Sequence, residues 1–167
     1  MSDKVDIEGL DELNKKLEDM ELRASNLYPA LNAAGYIIAR SVRKNIRQQG
    51  RPPWNRPSRR VQATGGKTLI KTSRLLKSIW HKVMGNIAYI GTNLIYAPIH
   101  HYGGVIRAKS APYLCFPIPW ETTKSGKKKF VKVKQITIPA RPFMKIQKED
   151  TRKVLKVFDD YIVRGQR

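Results

Sequence analysis

The 167-residue sequence predicts an α+β fold: a mostly antiparallel sheet with two N-terminal helices, a C-terminal helix and a protruding basic β-hairpin. Apolar residues recur at three- and four-residue spacing near both ends of the chain, the mark of amphipathic helices. Between about residues 82 and 138 that period gives way to short apolar runs broken by Gly, Asn and Pro, the mark of strands. The length fits one domain over 1–167, and 41% hydrophobic residues suffice for a core.

Ile7, Leu10, Leu13, Leu17 and Met20 predict a first helix with an acidic outer face. A second helix is predicted from about Leu27 to Gln48, with Leu31, Ala34, Ile38, Val42 and Ile46 as its apolar stripe. Arg40, Arg43, Lys44 and Arg47 suit the negative end of that helix dipole, and Gly50 stops it. Residues 51–71 predict an extended loop, since Pro52, Pro53 and Pro57 oppose a helix and Gly65-Gly66 adds freedom. Trp54 is its expected anchor to the core. Thr72 or Ser73 caps a short helix over Arg74 to Trp80.

Lys82-Val83-Met84, Ile87 to Gly91 and Ile95-Tyr96 predict short strands. Tyr113 to Trp120 and Lys129 to Ile138, joined around Ser125-Gly126, predict a hairpin over 113–138 with one basic, wet face. A final helix from about Lys148 to Val163 is expected to bury Val154, Leu155, Phe158 and Ile162. Cys115, the single cysteine, excludes an internal disulfide and reads as a small buried hydrophobe.

The charge is lopsided. No Asp or Glu occurs from Leu22 to Trp120, yet that stretch carries sixteen Lys and Arg. Residues 1–21 have net charge −5 and residues 121–167 have +9, within a total of +20. Such an excess opposes compaction by self-repulsion and points to a polyanion or an acidic partner. Arg51, Arg56, Arg59, Arg60 and Lys67 in the loop are the expected DNA- or partner-facing groups. Lys124, Lys127, Lys128, Lys129, Lys132 and Lys134 in the hairpin join them. Aromatic residues, Trp54 excepted, do not interleave with these cations as base-stacking platforms would, so phosphate contact without base reading is the form expected.

Chemistry is hard to assemble from these residues. Thr64-Gly65-Gly66-Lys67-Thr68 resembles the tail of a phosphate-binding P-loop, but position 61 is Val where that motif needs Gly. His100 and His101 are adjacent, so on a strand they point to opposite faces, and no Cys, Asp or Glu lies near them. Glu149, Asp150, Asp159 and Asp160 stand beside Arg152, Lys153 and Lys156, where i,i+4 surface pairing accounts for them. No catalytic set, metal or cofactor is therefore expected. Val83 to Ile106 lacks charge and is long enough to cross a bilayer, but four glycines, Pro98 and several polar residues favour short buried strands, and no membrane partner is expected. Met1 to Leu10 is acidic and lacks a signal-peptide pattern.

Four segments in order carry a resemblance. They are Trp54-Asn55-Arg56-Pro57-Ser58, the run Leu69 to Ile79 around Thr72-Ser73-Arg74-Leu75, Gly91-Thr92-Asn93 with Tyr96 to Gly104, and Ile138-Pro139-Ala140-Arg141-Pro142-Phe143-Met144. Together, over roughly residues 50–165, they resemble the phage virion morphogenesis family of Mu-like and P2-like tail-completion proteins. Ser73 stands where that family's Leu-x-x-Thr-Gly-x-Leu pattern has Gly. Trp54, Gly91, Tyr96, His100, Gly103, Gly104, Pro139, Arg141, Pro142 and Phe143 are structural motif residues in this comparison.

The resemblance implies a non-enzymatic virion protein of the neck or tail, made in the host cytoplasm. It also implies a homo-oligomeric ring, often hexameric, that contacts neighbouring neck, connector and tail proteins and encloses duplex DNA weakly and without sequence preference. A general sequence-independent nucleic-acid-binding protein is the alternative. A ring of such subunits, ~40 Å deep, would enclose ~24 phosphates against a protein charge of about +120. Most of its cations must therefore face acidic neighbours or solvent.

Overall fold

The computed structural model describes residues 9–54, 57–123 and 125–165. It is α+β, with antiparallel strand pairs. The order is α1 (Leu10–Ser25), α2 (Tyr28–Arg47), α3 (Arg59–Thr64), α4 (Arg74–Lys77), β1 (Trp80–Met84) and β2 (Ile87–Gly91), then α5 (Ala97–Tyr102), β3 (Gly104–Arg107), β4 (Leu114–Thr122), β5 (Lys128–Val133), β6 (Gln135–Ile138) and α6 (Lys148–Ile162). The described chain forms two compact units. One comprises residues up to Ile38, His81–Ile90 and the chain from Lys148, and the other comprises Ala39–Trp80 and Gly91–Gln147.

In the first unit α1 lies against α6. Arg23 Nε donates to the Ile162 carbonyl at 2.9 Å, and the Tyr161 hydroxyl donates to the Asn26 carbonyl at 2.8 Å. His81 meets the Tyr36 ring edge-on at 6.2 Å. A Cβ at Gly35 would come within 3.0 Å of the His81 ring, so this helical glycine makes room for it. The expected apolar stripe of α1 is not buried: Leu10, Leu13 and Leu17 are 45–53% exposed and Met20 is half-buried, while Ile7 lies outside the described residues. On α6, Val154, Phe158 and Ile162 are half-buried as expected, but Leu155 is exposed. Leu155 stands one residue off the 154–158–162 line, about 100° around the helix.

The second unit holds a tighter core of Ala39, Val42, Ile46, Leu75, Ile79, Ala97 and Phe143. α2 ends as expected at Gly50, whose N–H donates to the Asn45 carbonyl at 2.8 Å with φ +102°. A side chain there would meet the Pro52 carbonyl at 2.6 Å and the Trp54 ring at 2.7 Å. Gly50 therefore both terminates the helix and seats the tryptophan.

Several expectations are corrected. The strands form three two-stranded sheets, β1-β2, β3-β6 and β4-β5, in place of a single sheet. The run Lys129 to Ile138 is split. β5 pairs antiparallel with β4, from Leu114↔Val133 to Thr122↔Lys128, whereas β6 pairs antiparallel with β3, with Gly104↔Ile138 and Arg107↔Gln135. The division falls at Lys134, whose carbonyl accepts from Ala108 N–H at 3.2 Å. Cys115 is exposed, because alternation along β4 turns Leu114, Phe116 and Ile118 inward.

Residues 59–64, expected within an extended loop, form α3. Ser58 caps it by accepting from Val61 N–H, and Gly65 at φ +72° ends it. Ala97 to Tyr102 forms α5, and Ile95-Tyr96, expected as a strand, is the turn before it. Pro98 lies in the first turn of α5, where no partner for its missing N–H is needed. Asp150, expected on the surface, is buried. Among the described residues no helix is long and apolar enough to cross a membrane.

Candidate functional site

Polar side chains at the end of α2 organise the second unit. Asn45 is fully buried. Its Nδ2 donates to the carbonyls of Phe143 and Lys145, each at 2.9 Å, and its Oδ1 accepts from Arg51 Nε at 2.6 Å. Arg51 Nη2 also bonds the Ser41 carbonyl at 3.2 Å and the Ser41 hydroxyl. Gln147 Nε2 donates to the Arg51 carbonyl at 2.7 Å. Gln49 closes the far side, accepting from Thr68 N–H at 2.6 Å and donating to the Thr68 carbonyl at 3.1 Å. These bonds tie residues 49–54, 68 and 141–147 to one helix end. Each buried group left unpaired here would cost about 1–3 kcal/mol.

The motif residues converge on this frame. Arg141 N–H donates to the His100 carbonyl at 2.9 Å, and Met144 N–H to His101 Nδ1 at 3.4 Å. The His101 and Phe143 rings meet edge-on at 5.1 Å, and those of Tyr96 and His100 at 5.9 Å. Gly103, at φ +74°, lets the chain pass so close that a Cβ would stand 2.6 Å from Ala140 N. Trp80 covers Gly91 in the same manner, 2.9 Å from where a Cβ would be.

Two clefts open on the second unit. One, of about 410 Å³, is lined by Pro52, Pro53, Trp54, Pro139 and Pro142 with Arg51 and Lys145 beside them. The other, of about 240 Å³, is lined by Arg141, His100, Lys71, Thr72, Ser58 and Tyr96 among others. Arg141 is only 4% exposed, and its Nε has no hydrogen-bond partner. Its Nη1 reaches the Pro139 carbonyl at 3.5 Å. His100 Nδ1 is buried and equally without a partner. Burial lowers the pKa of Arg141. Burial first, and the neighbouring Arg141 charge second, lower that of His100, so the imidazole favours its neutral form.

The cations expected to face DNA or a partner divide into several groups. Arg51 is engaged within its own unit, as described. Arg56 and Lys124 lie outside the described residues. Arg59 and Arg60 open α3. Lys67 is exposed and follows Gly66. Lys127, Lys128, Lys129, Lys132 and Lys134 are exposed along β5 and its ends. Lys129 is paired with Glu121 at 2.9 Å. The turn before β5 is closed by Thr123, whose N–H donates to the Lys127 carbonyl at 2.7 Å and whose Oγ1 accepts from Lys127 N–H at 3.1 Å. Among the described residues no group of three or more His, Cys, Asp or Glu could hold a metal ion.

Charge follows the division into units. The segments 39–80 and 91–147 hold 22 Lys and Arg against one acid, Glu121. The remaining segments hold 11 Lys and Arg against 12 acids. The positive excess of the chain thus belongs to the second unit, where the motif residues and both clefts lie.

The Asn45–Arg51–Gln147 frame and the orphaned Nε of Arg141 escape sequence reasoning. A polar Asn45 between the core positions Val42 and Ile46 was the available signal for the frame.

A model of the phage virion morphogenesis family matches residues 5–162. The chain is also similar to the Mu-like prophage FluMu G protein 2 of Haemophilus influenzae, 26% identical over 157 residues that cover 94% of each chain. No solved structure gives a significant match.

Proposed function

Because the chain belongs to the phage virion morphogenesis family, with the structural and assembly role which that implies, we propose that it is a neck or tail-completion subunit. It forms a homo-oligomeric ring around the DNA channel and joins tail to head. The observation that carries this reading is the family match across almost the whole chain, taken with a second unit of 22 bases and one acid. A surface of that charge suits a protein that meets acidic neighbours and passing duplex at once. The exposed lysines of β5 offer sequence-independent phosphate contact. Weak contact also suits a conduit, since tight DNA binding would hold back the passing genome.

The partners expected under this hypothesis are a second copy of the chain and the adjoining connector and tail proteins. Native mass spectrometry and negative-stain microscopy of the purified protein test it, with closed rings as the expected result. A strictly monomeric protein that binds free duplex tightly in a band-shift assay, with strong salt dependence, would overturn it in favour of a general nucleic-acid-binding protein.

A further inference from the structure

The second cleft contains a buried guanidinium with no anion. Arg141 is 4% exposed, its Nε lacks a partner, and the adjacent His100 Nδ1 lacks one too. Lys71 and Thr72 line the same cleft and are exposed. A buried cation left without a counter-charge is costly, and the cost is relieved when an anion enters with good hydrogen-bond geometry. The unit cannot supply that anion, since its one acid, Glu121, is held by Lys129.

The unfilled Arg141 Nε–H fits an acceptor bearing negative charge, and the Nδ1–H tautomer of the neutral His100 ring supplies a second donor beside it. A guanidinium takes carboxylate or phosphate with equal ease. Access separates them. Duplex DNA carries its phosphates on a broad convex surface to which protein side chains reach out. Here the cation is recessed, so the anion must reach in, as an Asp or Glu side chain does.

We propose that this cleft is a socket for a carboxylate from the acidic N-terminal segment of a second copy of this chain. Residues 1–21 hold eight of the chain's thirteen acids. In α1 no side chain is buried, and Leu10, Leu13, Leu17 and Leu22 stand exposed beside Asp11, Glu12, Glu18 and Asp19. One copy thus presents an acidic helix with exposed leucines, and the next presents a basic unit with an unfilled anion socket. Such a head-to-tail contact is heterologous and closes into rings when its rotation permits. The inference rests on the oligomeric part of the proposed function and gives that contact a place.

Native mass spectrometry of the full chain and two variants tests it. One variant, Arg141→Gln, removes the socket cation. The other carries Asp11→Asn, Glu12→Gln, Glu18→Gln and Asp19→Asn, which neutralises the helix. Each variant alone is expected to remain monomeric where the unmodified chain assembles. Their mixture is expected to form one-to-one pairs that grow no further, because each supplies the half that the other lacks. Lys71→Glu at the exposed rim gives the same result if Arg141→Gln fails to fold. Assembly of the Arg141→Gln and Lys71→Glu variants like the unmodified chain would overturn the socket and leave the ring reading standing. A monomeric unmodified chain would overturn both. Loss of a duplex band shift in Arg141→Gln, with assembly unchanged, would assign the cleft to phosphate and overturn the carboxylate.

Discussion

Ser73 carries a backbone cost. It holds φ +54° at the start of α4 and makes no side-chain cap bond, although it was an expected cap. Left-handed backbone disfavours any residue with a Cβ, so Ser73→Gly is expected to stabilise the protein by about 0.5–1 kcal/mol. Urea unfolding measures this, and a destabilised variant would contradict it. Phe143 is 1% exposed and is held on one side by its carbonyl bond to Asn45 and on another by the His101 ring. Phe143→Ala is expected to cost about 3–5 kcal/mol in the same measurement. His100 and His101 both have pKa values below the ordinary imidazole value of 6.5, chiefly through burial. Depressed values mean that the unfolded chain binds these protons more readily. Their contribution is then complete above pH 6.5 and is lost as pH falls through the lower folded values. Melting temperatures measured from about pH 8 down to about pH 5 should fall below that point, and a flat profile would contradict the assignment.

Among the elements, those defined by their own periodicity were legible and those defined by a distant partner were not. α1, α2 and α6 appear close to their expected bounds, since apolar spacing alone marks them. α5 was missed because Pro98 reads as a breaker until its place in the first helical turn is known. β6 was joined to β5 because the apolar alternation runs on through Lys134, and nothing local tells that Ile138 pairs with Gly104. Arg51 was counted among outward cations for a related reason: composition gives its charge but not its direction. The β4-β5 pair yields its own prediction. Reversing Lys127, Lys128, Lys132 and Lys134 to Glu should leave the unfolding free energy within about 1 kcal/mol, since all four are exposed. It should also weaken binding to acidic partners or duplex. Unchanged salt-dependent binding would show that the hairpin faces neither.

Across the whole molecule, the missing carboxylates noted in the sequence take a more definite form. The residues 39–80 and 91–147 carry the positive excess, and the rest of the chain is nearly neutral with its acids gathered toward the N-terminus and in α6. The family motifs fall in the basic unit and serve its internal frame: Trp54 beside Gly50, Gly103 beside Ala140, and Phe143 under Asn45. Each of these residues packs or bonds within that unit, and Arg141 with the exposed lysines is what we propose for partners. The proposed joining of tail to head is tested by electron microscopy of a lysate from a phage or prophage lacking this gene. Filled heads and separate tails with few joined particles are expected, with joining restored when the gene is supplied in trans. Normal yields of joined, infectious virions without the protein would contradict it.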